Sequence, residues 1–236
     1  MHHRTAPGWS GLRTGRCRQV RFYRPAKALG GLYMRSALGL RVLQAELVPT
    51  AGPLIVCSNH IHWMDPLLLA CASPRPIFFM AKQELFANRL FATVFDGLGA
   101  FPVRRGTIDR AAVRRCLDLL RDGQAVGIFP EGTRSRTGRL GPGEPGASVI
   151  GLTTGALIVP AGVAGYRGRR ELRVVWGQPF DPRDFGPPEA RRDRQVVAAL
   201  TGAIMTRIAE LSDQEPPTQE PESEAPVDGR SAGEGG

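Results

Sequence analysis

Cysteine is scarce and scattered in this chain of 236 residues. Cys17, Cys57, Cys71 and Cys116 form no CxxC pair. That spacing argues against a zinc ribbon or a disulfide framework and suits a reducing compartment. Long apolar runs are missing too: none approaches the roughly 18 residues of a membrane span. The basic start lacks the continuous apolar segment of a secretory signal, so a cytoplasmic protein without a transmembrane helix is expected. No His/Cys/Asp cluster has metal-ligand spacing, and no metal is expected. Gly (29) and Pro (20) are plentiful but follow no fixed period, which excludes collagen and simple repeats.

Acidic residues are absent from positions 1–45, which carry nine Lys and Arg. Positions 210–236 reverse this, with eight Asp and Glu and one Arg. The net charge is +9, and a net-positive body with a strongly positive start suits an anionic partner: a phosphorylated small molecule, lipid headgroups or nucleic acid. The division that follows is a basic arm and amphipathic helix at 1–44, a folded domain at 45–211 and an acidic tail at 212–236. The tail, rich in Glu, Pro, Gly and Ser, has too little apolar area to order itself.

Residues 1–20 show no periodicity. From Arg24-Pro25 onward, Leu29, Leu32, Tyr33, Ala37, Leu40 and Leu43 recur at three- and four-residue steps, with Lys27 and Arg35 on the other side. This is a basic amphipathic helix. It suits packing on a core or lying in a membrane interface, where apolar contact and attraction to anionic lipid add. Beyond residue 45, strand-like runs (54–57, 77–80, 100–103, 125–129, 157–163, 172–176) alternate with helical stretches (66–72, 85–95, 109–121, 147–154, 189–211). Asp65 stands as a candidate N-cap and Pro66 as a first helical residue. This alternation predicts an α/β fold: one domain with a central, partly parallel mixed sheet flanked by helices, preceded by the N-terminal amphipathic helix.

Four segments stand beside predicted strands. Asn59-His60-Ile61-His62-Trp63-Met64-Asp65 contains an HxxxxD pair. Histidine suits proton transfer near neutrality, and a carboxylate on one ring nitrogen leaves the other free to take a proton. Such a pair arises by chance in roughly one sequence in six of this composition. A regular helix would hold the two residues ~140° apart, so a turn must bring them together. On this segment alone, a loop histidine and a helix-capping Asp is the plainer reading. Gly99 to Gly106 places Arg104 and Arg105 at a strand end, where they suit an anion or plain solvation. Phe129-Pro130-Glu131-Gly132-Thr133-Arg134-Ser135 gathers a glycine, hydroxyls and an arginine where a strand leaves the sheet, the usual ligand edge of an α/β fold. Leu157 to Val163 is an apolar strand whose Pro160 tends to mark an edge or bulge.

Taken together and in this order, the segments resemble the glycerolipid acyltransferase family, in particular the bacterial 1-acyl-sn-glycerol-3-phosphate acyltransferases. The signature comprises an NHxxxxD block, a GxFPVxR-like block, FPEGTRS and a proline-bearing apolar strand. It covers about residues 45–180, and the third block is highly specific. The resemblance implies direct transfer of an acyl group from an acyl-CoA or acyl carrier protein thioester to a lysophospholipid hydroxyl, giving phosphatidic acid without a cofactor. It implies His60 as general base and Asp65 as its orienting partner. Arg104 and Arg105 stand at the phosphate-binding block. Glu131, Gly132, Thr133 and Arg134 hold the acceptor, and Pro160 lines an acyl pocket. It also implies a peripheral protein on the anionic cytoplasmic face of the membrane. The chain departs from the pattern at His62, where Ser is more usual, at Arg104, often Asp, and at Leu157, often Pro. Transfer to another lyso-lipid or hydroxyl acceptor is the alternative. A non-enzymatic basic nucleic-acid-binding protein is less favoured: no aromatic residues interleave with the Arg clusters, and no nucleic acid partner is expected.

Overall fold

The structure, a computed structural model, describes residues 23–83, 87, 99–103, 109–166 and 172–217. The elements are α1 (Tyr23–Ala37), β1 (Arg41–Leu43), β2 (Leu54–Ser58), α2 (Asp65–Ala72), β3 (Ile77–Lys82), β4 (Ala100–Val103), α3 (Arg110–Arg121), β5 (Ala125–Ile128), α4 (Gly146–Thr154), β6 (Leu157–Ala164), β7 (Arg173–Trp176) and α5 (Arg194–Leu211). Single 3₁₀ turns lie at Ala45–Leu47, Pro182–Asp184 and Pro188–Arg192. The fold is the expected α/β architecture with a mixed sheet.

Seven strands form the sheet in the order β1-β7-β6-β2-β5-β3-β4. Every neighbouring pair is parallel except β6 and β7. The core strands explain their own apolar runs. β2 is buried along its whole length and sends alternate residues to opposite faces, as the two-residue period of a strand requires. Ile55 and Cys57 join the cluster formed with α3, α4 and α5, while Leu54 and Val56 join the cluster formed with α1 and α2. Helices therefore cover both faces, which is how a largely parallel sheet is kept from water.

Local chemistry sets the helix boundaries. Asp109 caps α3 by accepting from the amides of Ala111 and Ala112, and Gly123 follows with φ +70°, which glycine adopts without strain. Asp193 caps α5 in the same way, accepting from Gln195 and Val196. The periodicity extended that helix back to Glu189. Instead, residues 188–192 form a separate 3₁₀ turn, because Asp193 takes the extended backbone of a cap.

Three further expectations are corrected. The apolar pattern carried the first helix to Leu43, but α1 ends at Ala37. Gly39 turns the chain at φ +64°, and residues 41–43 pair with β7 as an edge strand. Pro160 was read as marking an edge or bulge, yet β6 is an interior strand between β2 and β7. The missing N–H is tolerated because it falls in a gap of the β7-side ladder. On that side Ile158 bridges Phe180 and regular pairing begins only at Ala161 with Trp176, while the Pro160 carbonyl accepts from Gly177. Asp65 does not cap α2, as described below. The expected helix at 85–95 lies outside the described residues.

Candidate active site

The loops that leave β2 and β5 at their carboxyl ends meet beside each other, because these strands are parallel neighbours. Ligands of α/β sheets bind in this region. The β2 loop is anchored first by Asn59, fully buried. Its side-chain amide donates to the Val163 carbonyl at 2.8 Å and accepts from the Val163 N–H at 2.8 Å. The side chain thus prolongs the β2–β6 ladder after the β2 backbone has turned away.

The turn that a helix could not provide is present. His60 Nδ1 lies 2.9 Å from Asp65 Oδ2, with Asp65 fully buried and His60 7% exposed. The same Oδ2 accepts the backbone N–H groups of Ile61 and His62, each at 2.8 Å. The carboxylate therefore reaches backward into the loop rather than forward as a cap, and Pro66 lies in the first turn of α2, where its absent N–H costs the helix nothing. Three N–H donors on one oxygen suit an anionic acceptor. With Nδ1 donating to Asp65, His60 Nε2 keeps its lone pair.

The third block clamps His60 from both sides. The His60 N–H donates to Glu131 Oε1 at 2.8 Å, and the His60 carbonyl accepts from the Ser135 N–H at 2.8 Å. Glu131 Oε2 accepts from Gly141 N–H at 3.0 Å. Burial raises the pKa of this carboxyl, and the two amides partly oppose that. Both Glu131 oxygens are engaged by the protein itself. Gly132, with φ +67°, turns the loop, and Gly132, Thr133 and Arg134 are solvent-exposed. Arg104 and Arg105 lie outside the described residues. Pro160 is buried within the sheet.

Sequence reasoning missed the residues that seat the imidazole. The His60 ring stacks on Phe129 with centroids 4.1 Å apart and planes 18° apart. Phe129 in turn lies 5.8 Å from the Phe79 ring. Phe79 crosses over Gly127, where an added Cβ would come within 2.0 Å of its ring, so only glycine fits there. Tyr166 was also missed; it stacks on His62 at 4.4 Å. The signal available for Phe129 was its place at the head of the third block, and for Tyr166 its place just past the fourth; for Gly127 and Phe79 none was available, since their pairing depends on strand register. Cys57, three residues before His60, is fully buried, and burial pushes its thiol up to about 12. That makes it a poor nucleophile. Among the described residues, no group of three His, Cys, Asp or Glu side chains is placed to hold a metal ion.

Known proteins resemble this chain over most of the domain that carries the site. The profile of the family described as Acyltransferase matches residues 39–164. A 1-acyl-sn-glycerol-3-phosphate acyltransferase of Bacillus subtilis is 32% identical over 183 residues, covering 75% of this chain and 89% of that protein. A 1-acyl-sn-glycerol-3-phosphate acyltransferase of Borreliella burgdorferi is 33% identical over 121 residues, covering 50% of this chain and 48% of that protein. The crystal structure of a Thermotoga maritima 1-acyl-sn-glycerophosphate acyltransferase, PlsC, has the same fold, with a TM-score of 0.56 at 22% identity over 77% of this chain and 80% of that one. The chain belongs to the acyltransferase family. It is an enzyme, which sets aside the reading as a non-enzymatic nucleic-acid-binding protein.

Proposed function

We propose that the protein transfers a fatty acyl group from a thioester, acyl-CoA or acyl carrier protein, to the free hydroxyl of 1-acyl-sn-glycerol-3-phosphate, forming phosphatidic acid for phospholipid synthesis. One observation carries this reading: in a chain of this family, the His60 ring is held at Nδ1 by Asp65 and leaves Nε2 uncommitted beside the sheet's ligand edge. His60 Nε2 takes the hydroxyl proton as the oxygen attacks the thioester carbonyl. The tetrahedral intermediate expels the thiolate, and the imidazolium returns the proton to sulfur. Asp65 stabilises the imidazolium between the two steps. Ester and free thiol are the products, and no acyl-enzyme forms. The reaction requires no cofactor beyond the thioester co-substrate.

Arg104, Arg105, Thr133 and Arg134 bind the acceptor phosphate in this reading, since guanidinium groups grip phosphate through paired donors. Gly132 lets the backbone approach it. Glu131, with both oxygens occupied by backbone amides, contributes by ordering the loop that carries these groups. Pro160 lines the acyl chain's path.

A peripheral position on the cytoplasmic face of an anionic membrane completes the reading. Leu29, Leu32 and Tyr33 on α1 are 71%, 66% and 59% exposed, on a segment whose flanking charges are all basic. Apolar burial and attraction to anionic lipid then add. No described helix is long and apolar enough to cross a membrane.

The test is release of free thiol by the purified full-length protein given long-chain acyl-CoA or acyl carrier protein with 1-acyl-sn-glycerol-3-phosphate. Thiol release dependent on that acceptor, with phosphatidic acid as product, is expected. Release only with a lysophospholipid of another headgroup reassigns the acceptor. No release with any lyso-lipid acceptor and either donor overturns the reading.

A further inference from the structure

The Asp65 carboxylate is satisfied on one oxygen only. Oδ2 accepts from the His60 ring and from two backbone amides, whereas Oδ1 is buried with no hydrogen-bond partner among the described residues. A second buried side-chain oxygen shares this condition: the hydroxyl of Tyr166. A buried carboxylate oxygen and a buried phenol left apart each carry a desolvation cost that one hydrogen bond between them removes.

The surroundings of Tyr166 seat it beside the loop that holds that carboxylate. The residue lies two positions past β6, the strand that Asn59 ties to the β2 loop through Val163. Its ring stacks on His62 at 4.4 Å, with 29° between planes. His62 is itself pinned, because its backbone N–H donates to Asp65 Oδ2 and its Nδ1 accepts from the Met64 N–H at 3.3 Å. The phenol is thus seated against the loop that wraps Asp65. We propose that Tyr166 is a positioning residue for the His60–Asp65 pair, its hydroxyl donating to Asp65 Oδ1 and fixing the plane in which the carboxylate meets the imidazole. The phenol has the right protonation for this: burial first, and then the facing Asp65 carboxylate, raise its pKa, so it acts as a donor throughout the neutral range.

Three N–H groups converging on one oxygen leave the carboxylate free to rock about that point. A fourth contact on the other oxygen stops the rocking. It also withdraws part of the anionic charge from the imidazole. Among the described residues, the titratable groups that face the pair are Glu131 from the β5 loop, His62 from the β2 loop and Tyr166 from the segment after β6.

This inference rests on His60 acting as the base, so its test carries one readout that does not need turnover. In full-length Tyr166→Phe the ring and its stacking on His62 remain and only the hydroxyl is lost. With acyl-CoA and 1-acyl-sn-glycerol-3-phosphate, kcat is expected to fall about ten- to a hundredfold, the loss typical of a hydrogen bond to a charged group, while the acceptor KM stays within about twofold. The acid limb of the pH–rate profile moves to higher pH, because the carboxylate then presses its full charge on the imidazolium. In parallel, the His60 ring of protein labelled with ¹⁵N-histidine is titrated by NMR in both proteins, and its midpoint moves in the same direction. An unmoved NMR midpoint overturns the proposal, whatever happens to kcat. A wild-type protein without turnover refutes the proposed function alone, and the NMR titration still decides the part of Tyr166.

Discussion

Asn59 and Val163 stand 104 positions apart in the chain and are joined edge to edge by two hydrogen bonds of 2.8 Å. The Asn59 side chain fills the place a backbone peptide would have held, so β6 remains paired where β2 leaves the sheet. The residue that opens the HxxxxD loop is therefore a structural clasp for it. Asn59→Ala strands a buried N–H and a buried carbonyl at Val163. A loss of about 2–4 kcal/mol in unfolding free energy is expected, measured by urea denaturation. Asn59→Asp, which keeps the shape but faces the Val163 carbonyl with an oxygen, is expected to be no better than the alanine.

His60→Ala is expected to lower kcat by about 10²–10⁴ while the protein still folds, because Asp65 Oδ2 keeps the amides of Ile61 and His62 as partners. Circular dichroism checks the fold and thiol release the rate. Turnover near that of the wild type removes the base assignment.

Glu131 distinguishes loop ordering from direct contact with substrate. Glu131→Gln preserves an acceptor for one of the two amides but turns an NH₂ group toward the other. Both the melting temperature and kcat are expected to drop, since one of the two amides, that of His60 or that of Gly141, loses its acceptor and the clasp around His60 loosens. A variant with unchanged stability and only a raised acceptor KM would show instead that the side chain works on the substrate.

The buried thiols make a pH prediction. Cys57 and Cys116 are each pushed up to about 12 by burial, whereas an unfolded thiol ionises near 8.5. In the interval the unfolded chain has released these protons and the native protein has not. Stability therefore holds below about pH 8.5 and declines as pH rises toward 12, by about 1.4 kcal/mol per pH unit for each thiol. Urea midpoints taken from pH 8 upward measure the slope, and Cys57→Ala is expected to reduce it by one thiol's share.

The proposed membrane contact is testable on α1 without deleting it. Removing residues 1–44 would also strip β1 from β7 and take away Met34 and Tyr23, both buried. Exchanging the exposed pair Leu29 and Leu32 for Ser leaves that packing in place. Cosedimentation with anionic vesicles is expected to weaken about ten- to a hundredfold, and added salt to weaken the wild type further.

Much of the architecture was legible in the amino-acid order. The apolar run of β2, the heptad-like stripe of α3 between Asp109 and Gly123, and the alternation of strands with helices are local patterns. Local patterns survive being read along a line. The motif blocks were legible for the same reason, each being a short contiguous string. The misreadings share a cause. Leu40 and Leu43 continue the helical spacing of α1, but their neighbours in space are β7 and the sheet, and pairing with a strand outweighed periodicity. Pro160 was misplaced because a ladder gap on one side of an interior strand cannot be seen from that strand alone.

The sequence alone determined the α/β class, the buried strands and, through the family resemblance, the candidate pair His60 and Asp65; the caps at Asp109 and Asp193 came from the structure. The tertiary structure alone decided that Asp65 reaches back to the imidazole, that Glu131 and Ser135 clamp His60 from a loop some 70 residues away, and that Phe129 and Tyr166 pack beside the pair. The reason is one of range. Hydrophobic period and capping act over a few residues and are written along the chain. Hydrogen-bond partners and ring stacking at the site are set by which strands lie side by side, and that order depends on the whole sheet.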